Sequence, residues 1–482
     1  MRLALFLGLW TALLVSDLAW ADVPTRVVSV DPYTNVTSYH QTEVEPDTYS
    51  FGNTVMGVYQ VGRFQDGGAS NIGYAVSTDG GATWTAGFLP ATTTFANPPG
   101  PWGRATDPSV AYDPAHDVWM VNILAMTGTT GKAILTSRST DGGLTFGSPV
   151  TVAATVGQQF FDKNWIACDT TPASPFYGNC YTEWDDANTG NQLHVARSTD
   201  GGLTWAQSAV PSASVVGGQP LVQPDGTVVM PIDDGGEGSV RSFVSADGGV
   251  SFQGPFPISS ITAHFVAGNL RVHELPSAEV DSTGRVYTVW NDCRFRAGCS
   301  SNDIVMSTSI DGQSWTPVVR IPIDATNSTV DHFLPGIGVE PGTGGATAHL
   351  GLLYYYYPVS SCSATTCQLV AGYIESFDGG ATWTTAVKVG RPMSNTWLPL
   401  TSQGYMVGDY TSTSFVGGLA FPVFMAAQPG TCQLGQITSC RVPSVVPIGG
   451  LTSEPGRIPV EDDPVLYTGP SQTRSKGLRQ AN

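Results

Sequence analysis

One octapeptide recurs along this chain, and no other feature restricts its fold so strongly. It reads Ser-Thr-Asp-Gly-Gly-Ala-Thr-Trp at 77–84, and close variants stand at 139–146, 198–205, 245–252 and 376–383. A sixth copy, 309–315, is one residue shorter. Successive starts are 62, 59, 47, 64 and 67 residues apart. An Asp followed by two glycines suits a tight β-turn. The carboxylate accepts hydrogen bonds from nearby amides, the glycines supply positive φ, and the closing aromatic seals the hairpin. A β-rich strand precedes each copy, as at 72–76, 133–136, 193–196 and 304–307, and two further strands lie upstream, as at 109–112 and 118–123. With one strand after the turn, each unit holds four strands, and helical periodicity is almost absent. Such repeats predict an all-β chain folded as a single β-propeller of four-stranded antiparallel blades. Seven blades are expected, with six as the alternative. A last unit without the octapeptide is built on 405–415 and 419–426, and the segment 27–30 is expected to complete its sheet.

Composition narrows the partners. Charged residues make up 12% of the 482, and the net charge is −18 with only 21 Lys and Arg. That excludes the basic footprint needed for nucleic acid or an anionic membrane. Residues 1–21 read as a secretion signal, with Arg2, an apolar run and a small-residue cleavage site. No later stretch approaches the roughly 20 apolar residues of a membrane helix, so a secreted, extracellular monomer is expected. The propeller is assigned to 22–453 and a polar tail to 454–482. The eight cysteines form sequential couples, predicting disulfides 168–180, 293–299, 362–367 and 432–440. No C-x₂-C spacing occurs, so neither metal nor cofactor is expected.

Strand order also assigns the faces. If each unit runs from axis to rim, the octapeptide is the turn between its third and fourth strands, and its Asp is structural. A ligand site belongs on the opposite face near the axis. The loops expected there collect the scarce charge. Links between units carry Glu45 and Asp47, Arg104 and Asp107, Asp162 and Lys163, His273 and Glu274, Asp331 and His332, and Asp409 with Tyr410. Loops between second and third strands carry Arg63, Glu183-Trp184-Asp185, Asp233-Asp234, and Asp292 with Arg294 and Arg296.

The octapeptides are similar to Asp boxes, and the chain resembles the bacterial and fungal sialidase-like (neuraminidase-type) propellers over essentially its whole mature length. Asp boxes also resemble those of sortilin-type receptors and xyloglucan hydrolases. The resemblance implies a secreted glycoside hydrolase acting on terminal sugars of a glycan or polysaccharide. Carried over by position, it implies Asp107 as general acid/base, Tyr410 as nucleophile with Glu274 as its base, and Arg63, Arg104 and Arg294 as a carboxylate clamp. Trp184 and Asp409 are expected to contact the substrate. The family's Arg-Ile-Pro before the first Asp box is missing, and stands instead at 320–322 and 457–459. Two other readings stay open: a non-catalytic carbohydrate- or protein-binding propeller, and a polysaccharide lyase using His332 or His273 with Tyr410.

Overall fold

A computed structural model describes residues 23–452. The expected signal and the tail from 454 lie outside the described residues. The chain is all-β, in successive antiparallel four-stranded units. The first comprises Glu43–Phe51, Thr54–Arg63, Ala69–Ser77 and Thr85–Phe88, and the second Arg104–Asp113, Val118–Thr127, Thr130–Ser139 and Val150–Ala154. A single bridge, Ala69 to Ala105, joins these two sheets. The third, fourth, fifth and sixth units begin at Phe161–Cys168, Val215–Val216, Ser277–Val280 and Asp331–Val339. In the fourth, the inner strand is split and resumes at Leu221–Val222. The seventh unit combines Ser412–Val416, Leu419–Met425 and Ser444–Pro447 with Thr25–Val27, which pairs antiparallel to Ser444–Pro447. The N-terminal strand therefore completes the last sheet as expected, two residues earlier than the sequence suggested.

Strands inside the units are apolar on both faces. Val118–Thr127 is buried from Val118 to Met126, because neighbouring sheets cover both sides, so the run lacks the alternation of a half-exposed strand. Each inner strand contacts the inner strand of the next unit, and Ser412–Val416 of the seventh contacts Glu43–Phe51 of the first.

The octapeptide geometry explains its own sequence. In the third unit, Ser198 Oγ donates to Asp200 Oδ1 at 2.9 Å and accepts from Gly202 N at 2.9 Å, while Asp200 accepts from Thr204 N and Oγ1 at 2.9 and 2.6 Å. The second glycine has another duty. At Gly81, φ is +88° and an added Cβ would lie 2.3 Å from the Phe421 ring of the seventh unit. The turn thus rests directly on the preceding sheet. Because Ser198 is buried, Ser198→Ala is expected to remove both bonds and lower stability by about 1–2 kcal/mol; urea unfolding reads the change, and an unaltered midpoint would contradict this account.

Register places the two ends of each sheet. In the second unit, Asp113 pairs Val118 and Trp119 pairs Ser139, so the octapeptide lies at that end. Arg104 pairs Met126 at the other. All four expected disulfides form. Three close loops between second and third strands, and Cys168–Cys180 ties a first strand to a second.

Candidate functional site on the face opposite the octapeptides

Four inner strands break register near their starts, between Val44 and Asp47, Thr106 and Ser109, Asp162 and Trp165, and Phe333 and Gly336. Each break holds a residue in the left-handed region: Glu45 (φ 55°), Asp107 (φ 47°), Lys163 (φ 52°) and Leu334 (φ 50°). Pro46, Pro108 and Pro335 follow three of them, where a missing N–H removes no ladder bond. A bulge re-aims a side chain that a regular strand would place in the sheet packing. Glu45, Asp107 and Lys163 thereby join one charge cluster.

Asp409 anchors it. Its carboxylate accepts from Arg271 Nε at 2.7 Å, and also from Arg271 Nη2 and Lys163 Nζ. Burial works against the charge, but Arg271 and Lys163 outweigh it and hold Asp409 well below the usual carboxylate range. Lys163 Nζ also lies 4.0 Å from Asp107 Oδ1. Asp107 is pushed the other way, up to about 6: burial raises it, Lys163 lowers it only partly, and Asp162 and Asp409 add repulsion. Glu45 is raised to about 7, chiefly by burial and then by Asp107 and Asp409. Gln60 Nε2 donates to Glu45 Oε2 and, at 2.8 Å, to Thr106 Oγ1. Gln60 Oε1 accepts from Arg63 Nη1 at 2.9 Å, and the buried Arg63 Nε has no partner.

A second group of carboxyls lies beside the first. Asp162 stands across the ladder from Asp185, and Glu183 is two residues away on the same strand face. Both Glu183 oxygens and Asp185 Oδ1 are buried without hydrogen-bond partners, and burial lifts both carboxyls well above the ordinary value. Asp162 is partly exposed and also raised, first by burial.

The structure separates the other expected residues. Arg104 Nη1 donates to Asp66 Oδ1 at 2.6 Å and Gly67 O at 2.7 Å, with its guanidinium 4.1 Å above the Phe64 ring. Arg294 is tied to Asp292 Oδ1 at 2.9 Å and Ser259 Oγ at 3.0 Å. The three guanidiniums of the expected clamp thus have separate partners. Trp184, 1% exposed, is stacked on His194 at 5.5 Å and leaves no face for a sugar. Its indole fills the space between sheets because burying so large an apolar ring outweighs exposing it. The Tyr410 hydroxyl donates to Pro108 O at 3.3 Å, and its ring meets Trp165 edge-on at 4.9 Å. Glu274 is raised by burial and Glu237 and does not bond Tyr410. His273 Nδ1 pairs with Glu237 Oε2 at 3.0 Å.

Arg271 escaped the sequence reading. It sits in the long link before Ser277–Val280, held because its amide donates to Tyr405 O at 2.7 Å and Tyr405 N donates to Asn269 O at 2.7 Å. Its one sequence signal was scarcity, as one of only 21 basic residues. Elsewhere, Asp303, Asp324 and His332 form the one potential metal-holding group among the described residues. Arg296 already binds Asp324 Oδ1 at 2.7 Å, and Arg320 Nε lies 2.8 Å from Asp303 Oδ1. The two guanidiniums supply the positive charge a cation would bring.

No family model and no curated protein matches the chain. Among solved structures, it is similar to the Hadza microbial sialidase Hz136 at 15% identity over 73% of this chain and 66% of that one, with a TM-score of 0.46. A protein of unknown function from Dyadobacter fermentans gives 16% identity over 73% and 99%, with a TM-score of 0.46. The leech intramolecular trans-sialidase complexed with 2,7-anhydro-Neu5Ac gives 11% over 87% and 70%, with a TM-score of 0.44.

Proposed function

We propose that the chain is a secreted seven-bladed propeller of sialidase-like type that hydrolyses glycosidic bonds, with Asp107 as the proton donor. The single observation behind the chemistry is that two carboxyls beside one lysine are driven apart, Asp409 held down by its two cationic partners and Asp107 raised by burial. Asp409 is locked in its ionised form by Lys163 and Arg271, while Asp107 is raised to about 6 beside the same Lys163. Environments that drive neighbouring carboxyls apart are those that separate acid from base roles. Asp107 then protonates the leaving oxygen, and the more exposed Asp162 serves as the second carboxylate of the usual pair. Left-handed backbone at Asp107 and Lys163 supports this reading, since strained residues gather where side chains must be aimed. Seven blades and ring closure are supported by the inner-strand contacts from first unit to seventh and back. Export fits the four disulfides.

Substrate charge follows from the surroundings. The cations of this mouth are already committed: Lys163 and Arg271 bind Asp409, and Arg63 Nη1 donates to Gln60 Oε1. A neutral sugar suits this mouth better than a carboxylate-bearing one. Tyr410 is proposed as a wall of the site. Its phenolate is strongly disfavoured, first by burial and then by Glu45, Asp107, Asp47 and Asp409. A panel of neutral and sialyl aryl glycosides tests the proposal by phenolate release. Tyr410→Phe is expected to retain at least about a tenth of wild-type turnover, whereas a nucleophile's loss would remove it almost wholly. The binding-module reading is favoured by one observation, the separate anchoring of Arg104 and Arg294; silence on the whole panel with retained glycan binding would select it.

A further inference from the structure

Beneath the charge cluster, on the octapeptide side of Trp165 and Tyr410, lies a cavity of about 290 Å³ lined by residues from the inner strand of every unit. A neck of about 20 Å³ walled by Lys163, Asn164, Trp165 and Tyr410 separates the two regions, and Trp165 and Gln219 line both spaces.

Every charged residue of the cavity lining is acidic: Asp47, Glu279, Asp281 and Glu340, with no Lys, Arg or His. Two are occupied. Asp281 accepts from Thr283 and Gly345 amides at 2.8 Å each, and Glu340 holds His349 at 2.8 Å. Asp47 and Glu279 have no cationic partner among the described residues. They stand on the first and fifth inner strands. Burial raises Asp47 to about 7 and Glu279 to about 8, and the Asp47 charge adds to the latter. In the neck itself, Asn164 Oδ1 and Thr411 Oγ1 are buried at 1% and 2% exposure without partners. Buried polar atoms are rarely left so.

Size decides the class of cation. At about 30 Å³ per water, the cavity greatly exceeds what one coordinated metal ion needs, and Tyr49, Trp165 and Phe415 contribute aromatic wall, which suits an alkylammonium body. We propose that this cavity is a second binding site, taking a small organic cation whose ammonium groups are received by Asp47 and Glu279. The site does not depend on the hydrolase reading.

Calorimetric titration of the full chain with 1,4-diaminobutane, and separately with calcium chloride at matched ionic strength, tests it, with tryptophan fluorescence reporting on Trp165. Saturable diamine binding in the millimolar range or tighter is expected, weakened at least about tenfold by Glu279→Gln and by Asp47→Asn, since each removes a charge-assisted hydrogen bond. Glu279 is partly exposed, so Glu279→Gln serves even where Asp47→Asn fails to fold, and near-UV circular dichroism checks both. Absence of saturable binding, binding unchanged in the folded variants, or binding of calcium in place of the diamine would each overturn the proposal.

Discussion

Asp107→Asn is expected to reduce turnover on the best aryl glycoside by about 10²–10⁴-fold, the usual contribution of a positioned proton donor. The carboxyl must be protonated to act, and its pKa stands at about 6. Wild-type kcat/KM should therefore fall as pH rises above about 6, and the variant's residual activity should lack that limb. Stability moves in the same direction. A carboxyl raised from 3.8 to about 6 binds its proton more tightly in the folded chain, so folding loses stability as pH rises through that window. Asn carries no such charge, and the variant should be at least as stable as wild type at pH 8. Leaving groups of low pKa need little protonation, so a variant that loses as much rate on them as on poor leaving groups would remove Asp107 from the acid role.

The second large effect is structural. Asp409→Asn leaves Lys163 and Arg271, 10% and 14% exposed, without the carboxylate they share. Removing one member of a buried ion pair costs about 3–5 kcal/mol, because the remaining charge stays desolvated. Asp409 is depressed below its unfolded value of 3.8, so its contribution is complete above that pH and disappears as the pH falls toward the folded value. Urea denaturation should show the full gap between wild type and variant at pH 7 and a shrinking gap below pH 4. A gap under about 1 kcal/mol at pH 7 would mean that the pair is solvated and does not organise the site.

Much of this was legible before any coordinates. The octapeptide period gave the four-stranded units, because each Asp-Gly-Gly turn is a local solution to reversing a chain. Cysteine order gave the pairing, since close couples closing one loop have few rivals. Strand order alone put Asp107, Tyr410 and Asp409 at one end of the sheets, and there Asp107 and Asp409 both approach Lys163. The partners were not legible. Arg104 opens an inner strand and Arg294 stands in a loop between strands, yet each is tied to its own carboxylate, Asp66 and Asp292. Trp184 reads the same in sequence whether it faces a sugar or a sheet.

The repeating sheet, the ends at which turns and charged links emerge, and the disulfides are all written in the order of residues, since all three follow from interactions within a few tens of residues. It took the folded chain to bring Lys163 and Arg271 together on Asp409, 246 and 138 residues away. Those pairings depend on one-residue bulges that turn side chains out of their sheets, and on sheets from distant parts of the chain standing side by side. Neither leaves a periodic trace in the order of residues.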